Sequence, residues 1–221
     1  MADADNLPIL FSFRRCPYAM RARLALASCS MPVRLREVVL RDKPEALLTA
    51  SPKGTVPVLL LQHGKVIEES REIMEWAFTA LDPGGLFDGW HSASAKILIA
   101  DNDGPFKQAL DRYKYPDRYT GIDALAERQR ASGFLIRLDR QLAERGGQLL
   151  RPAVSALDLA IFPFVRQFAH HDAGWFEEQD WPNLKLWLHG HLASPLFAAV
   201  MRKYPQWRPG DAEPCFPEPS T

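Results

Sequence analysis

At 221 residues with 47% hydrophobic content, the chain has ample material for a buried core and fits one large domain or two modest ones. Lysine plus arginine and aspartate plus glutamate number 27 each, so no net basic field draws nucleic acid or an anionic membrane, and small molecules are the expected partners. Three cysteines at scattered spacing exclude a disulfide framework, the apolar stretches are too short or too charged to span a bilayer, and the start Met-Ala-Asp-Ala-Asp does not resemble a secretory signal, so the expected compartment is the reducing cytoplasm.

Leu7 to Phe13 reads as an apolar strand, and Pro17 to Ser28 as a helix with Met20, Leu24 and Ala27 on one face. Between them stands Cys16. Pro17 is pre-organised for the first helical position, which makes Cys16 the N-cap. Unpaired N–H groups and the positive end of the macrodipole favour an anion there. Arg14, Arg15, Arg21 and Arg23 add positive charge nearby, and cysteines at helix starts have pKa values lowered to roughly 3.5–7.5. A reactive thiolate is the expectation.

Val33 to Arg36 alternates as a half-buried strand does, and a short helix covers about Pro44 to Ala50. Val56 to Leu61 and Lys65 to Ile67 flank Gln62-His63-Gly64 as a hairpin, and a helix runs from Ser70 through Ala80. This βαβαββα order with a mixed four-stranded sheet is the thioredoxin-like arrangement. Leu81 to Gly85 is turn-rich, so residues 1–82 form a first domain, 83–92 a linker that docks apolar side chains, and 93–221 an all-helical domain. Within the latter, Gly104-Pro105 should kink a first helix. A long helix spans about Ile122 to Arg145, with Ala131, Phe134, Leu135, Leu138 and Leu142 buried and Gly146-Gly147 ending it. Ser155 opens Leu159 to Val165, apolar nearly all round and therefore central, with Pro163 as an internal kink. Helices near Asn183 to His191 and Pro195 to Lys203 precede a proline-rich tail.

Four separated motifs stand out in order: Cys16-Pro17-Tyr18-Ala19, Val56-Pro57, Glu69-Ser70 and Ser155-x-x-Asp158. Together they resemble the glutathione transferase superfamily, in particular its cysteine-type members akin to the omega and dehydroascorbate-reductase classes and their bacterial relatives. The likeness spans almost the whole chain and implies a thioredoxin-like glutathione domain followed by a helical bundle. It implies that Cys16 is the nucleophile and that Tyr18 makes backbone contact with the ligand beside it. It further implies that Val56-Pro57 is a cis-proline pair whose Val56 backbone holds the cysteinyl part of glutathione as an added strand. Glu69 and Ser70 would take the γ-glutamyl ammonium and carboxylate. Taken alone, Ser70 reads as a plain N-cap, and only its placement after Val56-Pro57 favours the ligand reading. Lys43 stands where omega-type members have a lysine for the glycyl carboxylate, and Lys53 is its rival.

Ser155-x-x-Asp158 reads as a capping box with a folding role only. His170-His171 and His189-x-His191 have the wrong spacing for two ligands on one helix face, so no metal is expected. Cys29 reads as a small buried residue and Cys215 as an exposed thiol. Phe106, Tyr113, Lys114, Tyr115 and Tyr119 are either second-substrate residues or packing.

Ala19 occupies the place of the second thiol of a Cys-x-x-Cys motif, so Cys16 has no built-in resolving partner. Monothiol exchange with glutathione as co-substrate, on a small hydrophobic or disulfide substrate, follows as the expected chemistry. The alternatives are a conjugating transferase, a glutathione-dependent ether lyase or hydroquinone reductase, and a non-catalytic interaction module. The resemblance also implies a homodimer.

Overall fold

The computed structural model describes residues 6–218; the acidic opening and the last three residues of the tail lie outside them. The described chain divides into two compact units, one running to Gly84 and resuming at Ser194, the other Gly85–Ala193.

In the first unit, β1 (Ile9–Ser12) is buried at all four positions, as a strand covered on both faces must be. It pairs parallel with β2 (Val33–Glu37), Ser12 facing Glu37, and antiparallel with β3 (Val58–Leu60). β4 (Val66–Ile67) closes the expected hairpin with β3. Helices α1 (Pro17–Ser28), α2 (Glu45–Ala50) and α3 (Ser70–Ala80) complete the thioredoxin-like order.

The sheet has five strands rather than the expected four, in the order β4-β3-β1-β2-β5. The fifth, Cys215–Phe216, comes from the tail, which carries no strand signal beyond two residues between prolines. It pairs antiparallel with β2, Val33 facing Phe216 and Arg34 facing Cys215, so Cys215 is half-buried rather than exposed. Arg34 and Arg36, which alternate with apolar residues as solvent-facing positions do, lie instead under the tail. Arg34 Nη1 is 3.3 Å and Arg36 Nη2 2.5 Å from the Glu213 carboxylate, and the Arg36 guanidinium lies 4.0 Å from the Trp207 ring centroid. The last segment therefore groups with the sheet and not with the helical domain read as 93–221, because β5 extends β2 while the short helix Pro195–Val200 packs on α1. With α3 also against it, α1 is buried on almost every side, and Arg21 and Arg23 are wholly enclosed.

The second unit opens on Phe87 stacked against Trp90, which is buried, and on the Leu86 carbonyl accepting from the Ala156 N–H at 2.7 Å. α4 (Ala93–Asp101) is capped by Ser92, whose Oγ accepts from Ala95 N. At Gly104-Pro105 the chain widens into one π-helical turn, Asn102–Phe106, before α5 (Lys107–Lys114), which absorbs the N–H that proline lacks. α6 (Ala124–Arg145) begins two residues later than the apolar pattern suggests, because Asp123 accepts from Leu125 N and Ala126 N. It ends at Gly146, whose φ of +79° favours glycine.

α7 (Ala156–Ala169) is the central helix, buried at nearly every position. α8 (Ala173–Glu178), capped by Asp172, has six residues and is not expected from the sequence. α9 (Pro182–Leu192) follows, its Leu184 N–H donating to Asp139 of α6 at 2.8 Å. Among the described residues no helix is long and apolar enough to cross a membrane.

Candidate active site in the first unit

β1 ends at Ser12, and the chain turns through Phe13 to Cys16, closed by Cys16 N donating to the Phe13 carbonyl at 2.9 Å. Cys16 is the N-cap of α1, with φ −76° and ψ 124°, Pro17 at N1 and no side-chain cap bond, so its sulfur is not engaged in capping. The half-buried Sγ lies 3.7 Å from the Val56 carbonyl oxygen, to which the thiol donates. The Val56-Pro57 peptide is cis. Thus two of the four motifs, forty residues apart, meet through the central pairing of β1 with β3.

Glu69-Ser70 lies at the start of α3, with Glu69 as the N-cap and Ser70 as the first helical residue, so Ser70 is not the capping residue. Ser70 is buried, and its Oγ accepts from Arg21 Nη1 of α1 at 3.3 Å. Arg21 reads from sequence only as diffuse positive charge. Its signal was there: a pair of arginines two residues apart in an otherwise apolar helix puts at least one on a buried face. A buried guanidinium behind a hydroxyl and a helix start is an anion-holding arrangement.

Glu69 and Glu68 both engage Lys53, whose Nζ is 3.2 Å from Glu69 Oε1 and 3.5 Å from Glu68 Oε2. The hydrogen bond to Glu69 is the main cause that raises the Lys53 pKa. Glu68 also accepts from Ser51 Oγ, which is the chief reason its carboxyl lies below the usual carboxylate range. Lys53 is therefore occupied by its own chain. Lys43 is exposed and has no ion-pair partner among the described residues; its side chain runs along Gly54. A β-carbon at Gly54 would stand 2.9 Å from Leu48 and 3.3 Å from Lys43 Nζ, and its φ is +58°, so glycine is required there.

A family model described as the glutathione S-transferase N-terminal domain matches residues 10–84, the stretch that carries Cys16, Val56-Pro57 and Glu69-Ser70. A probable glutathione transferase of Aplysia californica is 42% identical over 67 residues, covering 29% of this chain and 73% of that protein. This chain belongs to the glutathione transferase family. The likeness extends beyond the first unit: glutathione S-transferase omega-1 of Sus scrofa is 25% identical over 203 residues, covering 89% of this chain and 81% of that one. In fold, a glutathione S-transferase structure from Methylobacillus flagellatus KT, solved with GSH bound, matches with a TM-score of 0.74 at 23% identity, over 87% of this chain and 98% of that one. The protein is accordingly an enzyme of the glutathione S-transferase family with omega-class relatives.

The remaining sequence candidates of this transferase fall elsewhere. Ser155 and Asp158 form a capping box at the start of α7. Asp158, fully buried, accepts from Ser155 N and Oγ, Leu149 N at 2.8 Å and Trp187 Nε1 at 2.9 Å, which joins α7 to α9 and to the loop before it. Tyr18 is half-buried, with the Arg21 guanidinium 5.7 Å from its ring centroid. Phe106 and Tyr113 are buried against Phe134 and Phe168, hence packing, while Tyr115 and Tyr119 lie beside Arg118 and Arg112. His191 is enclosed between Phe162 and Trp187, and His189 pairs with Glu177 on another face of α9. Cys29 is buried, and desolvation, with Asp82 in second place, pushes its thiol up to about 11.

Proposed function

We propose that the protein is a glutathione-dependent thiol transferase or reductase in which Cys16 is the nucleophile and forms a mixed disulfide with glutathione. The observation that carries this reading is the place of Cys16 at the N-cap of α1, its sulfur 3.7 Å from the backbone carbonyl of the cis Val56-Pro57 pair, with Ala19 where a resolving thiol would stand. The helix start favours the thiolate. Around it, Val56 with Pro57 offers a backbone edge for the cysteinyl part of glutathione, and Tyr18 makes backbone contact beside the thiol. Ser70, backed by Arg21, holds the γ-glutamyl carboxylate, Glu69 its ammonium, and Lys43 the glycyl carboxylate. The occupied state of Lys53 supports Lys43 in that role.

The exchange balances without a cofactor. The Cys16 thiolate attacks the glutathione sulfur of a mixed disulfide, the old S–S bond breaks, and the substrate leaves as a thiolate that takes a proton from water. A second glutathione thiolate then attacks the glutathione sulfur on Cys16, giving oxidised glutathione and restoring the enzyme thiolate. The substrate is reduced and two glutathione molecules are joined. The odd cysteine count supports a reducing, cytoplasmic setting, and family membership supports a two-fold homodimer.

Intact mass after treatment with oxidised glutathione tests the reading. One glutathionyl adduct is expected on the wild type and none in Cys16→Ser. No adduct on the wild type, or an undiminished adduct in Cys16→Ser, would overturn the reading, and strong aryl-halide conjugation that survives Cys16→Ala would select a conjugating transferase instead.

A further inference from the structure

The turn that presents Cys16 is held from behind by one carboxylate. Glu37, the last residue of β2, accepts the Arg14 backbone N–H on Oε1 at 2.5 Å and Arg23 Nη2 on Oε2 at 3.2 Å. Arg14 lies two residues before Cys16, inside the turn that Cys16 N closes onto Phe13. The same three residues are tied to the end of the chain: Arg23 Nη1 donates to the Val200 carbonyl, the Arg14 guanidinium to the Met201 carbonyl at 3.4 Å, and the Glu37 backbone carbonyl accepts from Trp207 N at 2.8 Å. Strand, helix, turn and C-terminal segment converge on Glu37, which none of the glutathione contacts proposed above uses. A buried carboxylate between a guanidinium and a backbone N–H is costly to form and therefore geometrically demanding. Burial pushes its carboxyl above the usual range, while Arg23 and the Arg14 N–H draw it back.

We propose that Glu37 is a positioning residue for Cys16, fixing the turn at Arg14 so that the sulfur stays at the mouth of α1. The inference rests on Cys16 being the nucleophile. A thiolate gains from the helix start only when the cap geometry is kept, since the dipole's effect falls off within one turn. Displacements of about 1 Å in a reacting group cost up to 100-fold in rate. Reach, rather than charge alone, is the property that matters. Glu37→Gln keeps the length and the one acceptor oxygen that the Arg14 N–H needs, at the loss of the Arg23 pairing, Glu37→Asp keeps the charge but retracts it by one methylene, and Glu37→Leu removes the acceptor.

The test is the pH profile of Cys16 alkylation by iodoacetamide, read by peptide mass, on variants shown by circular dichroism to be folded. In Glu37→Asp and Glu37→Leu the midpoint is expected to move to higher pH and the rate at pH 7 to fall about fivefold or more, whereas Glu37→Gln stays within about twofold of wild type. Ser155→Ala, which removes a cap in the other unit, is expected to lower the melting temperature without moving the profile. If Glu37→Leu does not fold, Glu37→Asp decides. An unchanged profile in Glu37→Asp, or equal loss in Gln and Asp variants, would overturn the proposal. Iodoacetamide needs no glutathione, so a wild type that forms no glutathionyl adduct would sink the exchange reading while leaving this measurement intact.

Discussion

The three cysteines differ by where their sulfur sits, and this is the most direct chemical consequence of single residues in the structure. Cys16 caps a helix with its sulfur half-exposed, Cys29 is enclosed at the other end of the same helix, and Cys215 lies half-buried on β5. Burial raises the Cys215 thiol and carries Cys29 up to about 11, and only thiolates alkylate at a useful rate. At pH 8 a limiting amount of iodoacetamide is therefore expected to label Cys16 first and leave Cys29 unmodified, as peptide mass mapping would show. Labelling of Cys29 at a rate comparable to Cys16 would contradict this. The place of Cys16 at a helix start was legible because Pro17 announces it locally. The role of Arg21 was not, since a guanidinium's direction depends on what packs over its helix.

Among the elements, α7 and α9 show how polar groups are accommodated in an apolar unit. Asp158 satisfies four donors at once, so a capping box read as local also fastens a neighbouring helix through Trp187. His191, on α9, is packed between Phe162 and Trp187 with Nε2 3.2 Å from Gln148 Oε1. Burial lowers its pKa below 6.5, and Asp158 only partly offsets that. A histidine depressed on folding contributes stability that is present above the unfolded value of about 6.5 and is lost as pH falls through the folded value. The melting temperature is thus expected to decline on acidification below about pH 6.5, with a shallower decline in His191→Phe. His170 and His171 are lowered for the same reason, so part of the slope should survive. An equal slope in His191→Phe and wild type would show that His191 does not contribute. Element identity was readable wherever periodicity ran for two turns or more. It failed at α8 and at β5, which are short and lack the flanking turn or hairpin signals that mark β4.

Across the whole molecule, the C-terminal segment returns to the sheet that the N-terminal residues begin. Phe216 is 1% exposed and faces Val33, while Trp207 packs edge-on to Phe11. Phe216→Ala is expected to cost about 3–5 kcal/mol in urea unfolding, the range for a buried aromatic truncated to a methyl. A loss below about 1 kcal/mol would mean that β5 is not part of the cooperative core. The thioredoxin-like order, the helical second unit, the cysteine at a helix start and the family were legible in the sequence, because each rests on local periodicity, turn chemistry or a residue-by-residue motif. Tertiary structure alone decided that the tail supplies a fifth strand, that Arg21 stands behind Ser70, and that Glu37 holds the turn before Cys16. Those contacts join residues far apart in the chain, and whether a polar group finds its partner there depends on what the fold packs over it, for which no short stretch of sequence keeps a signature.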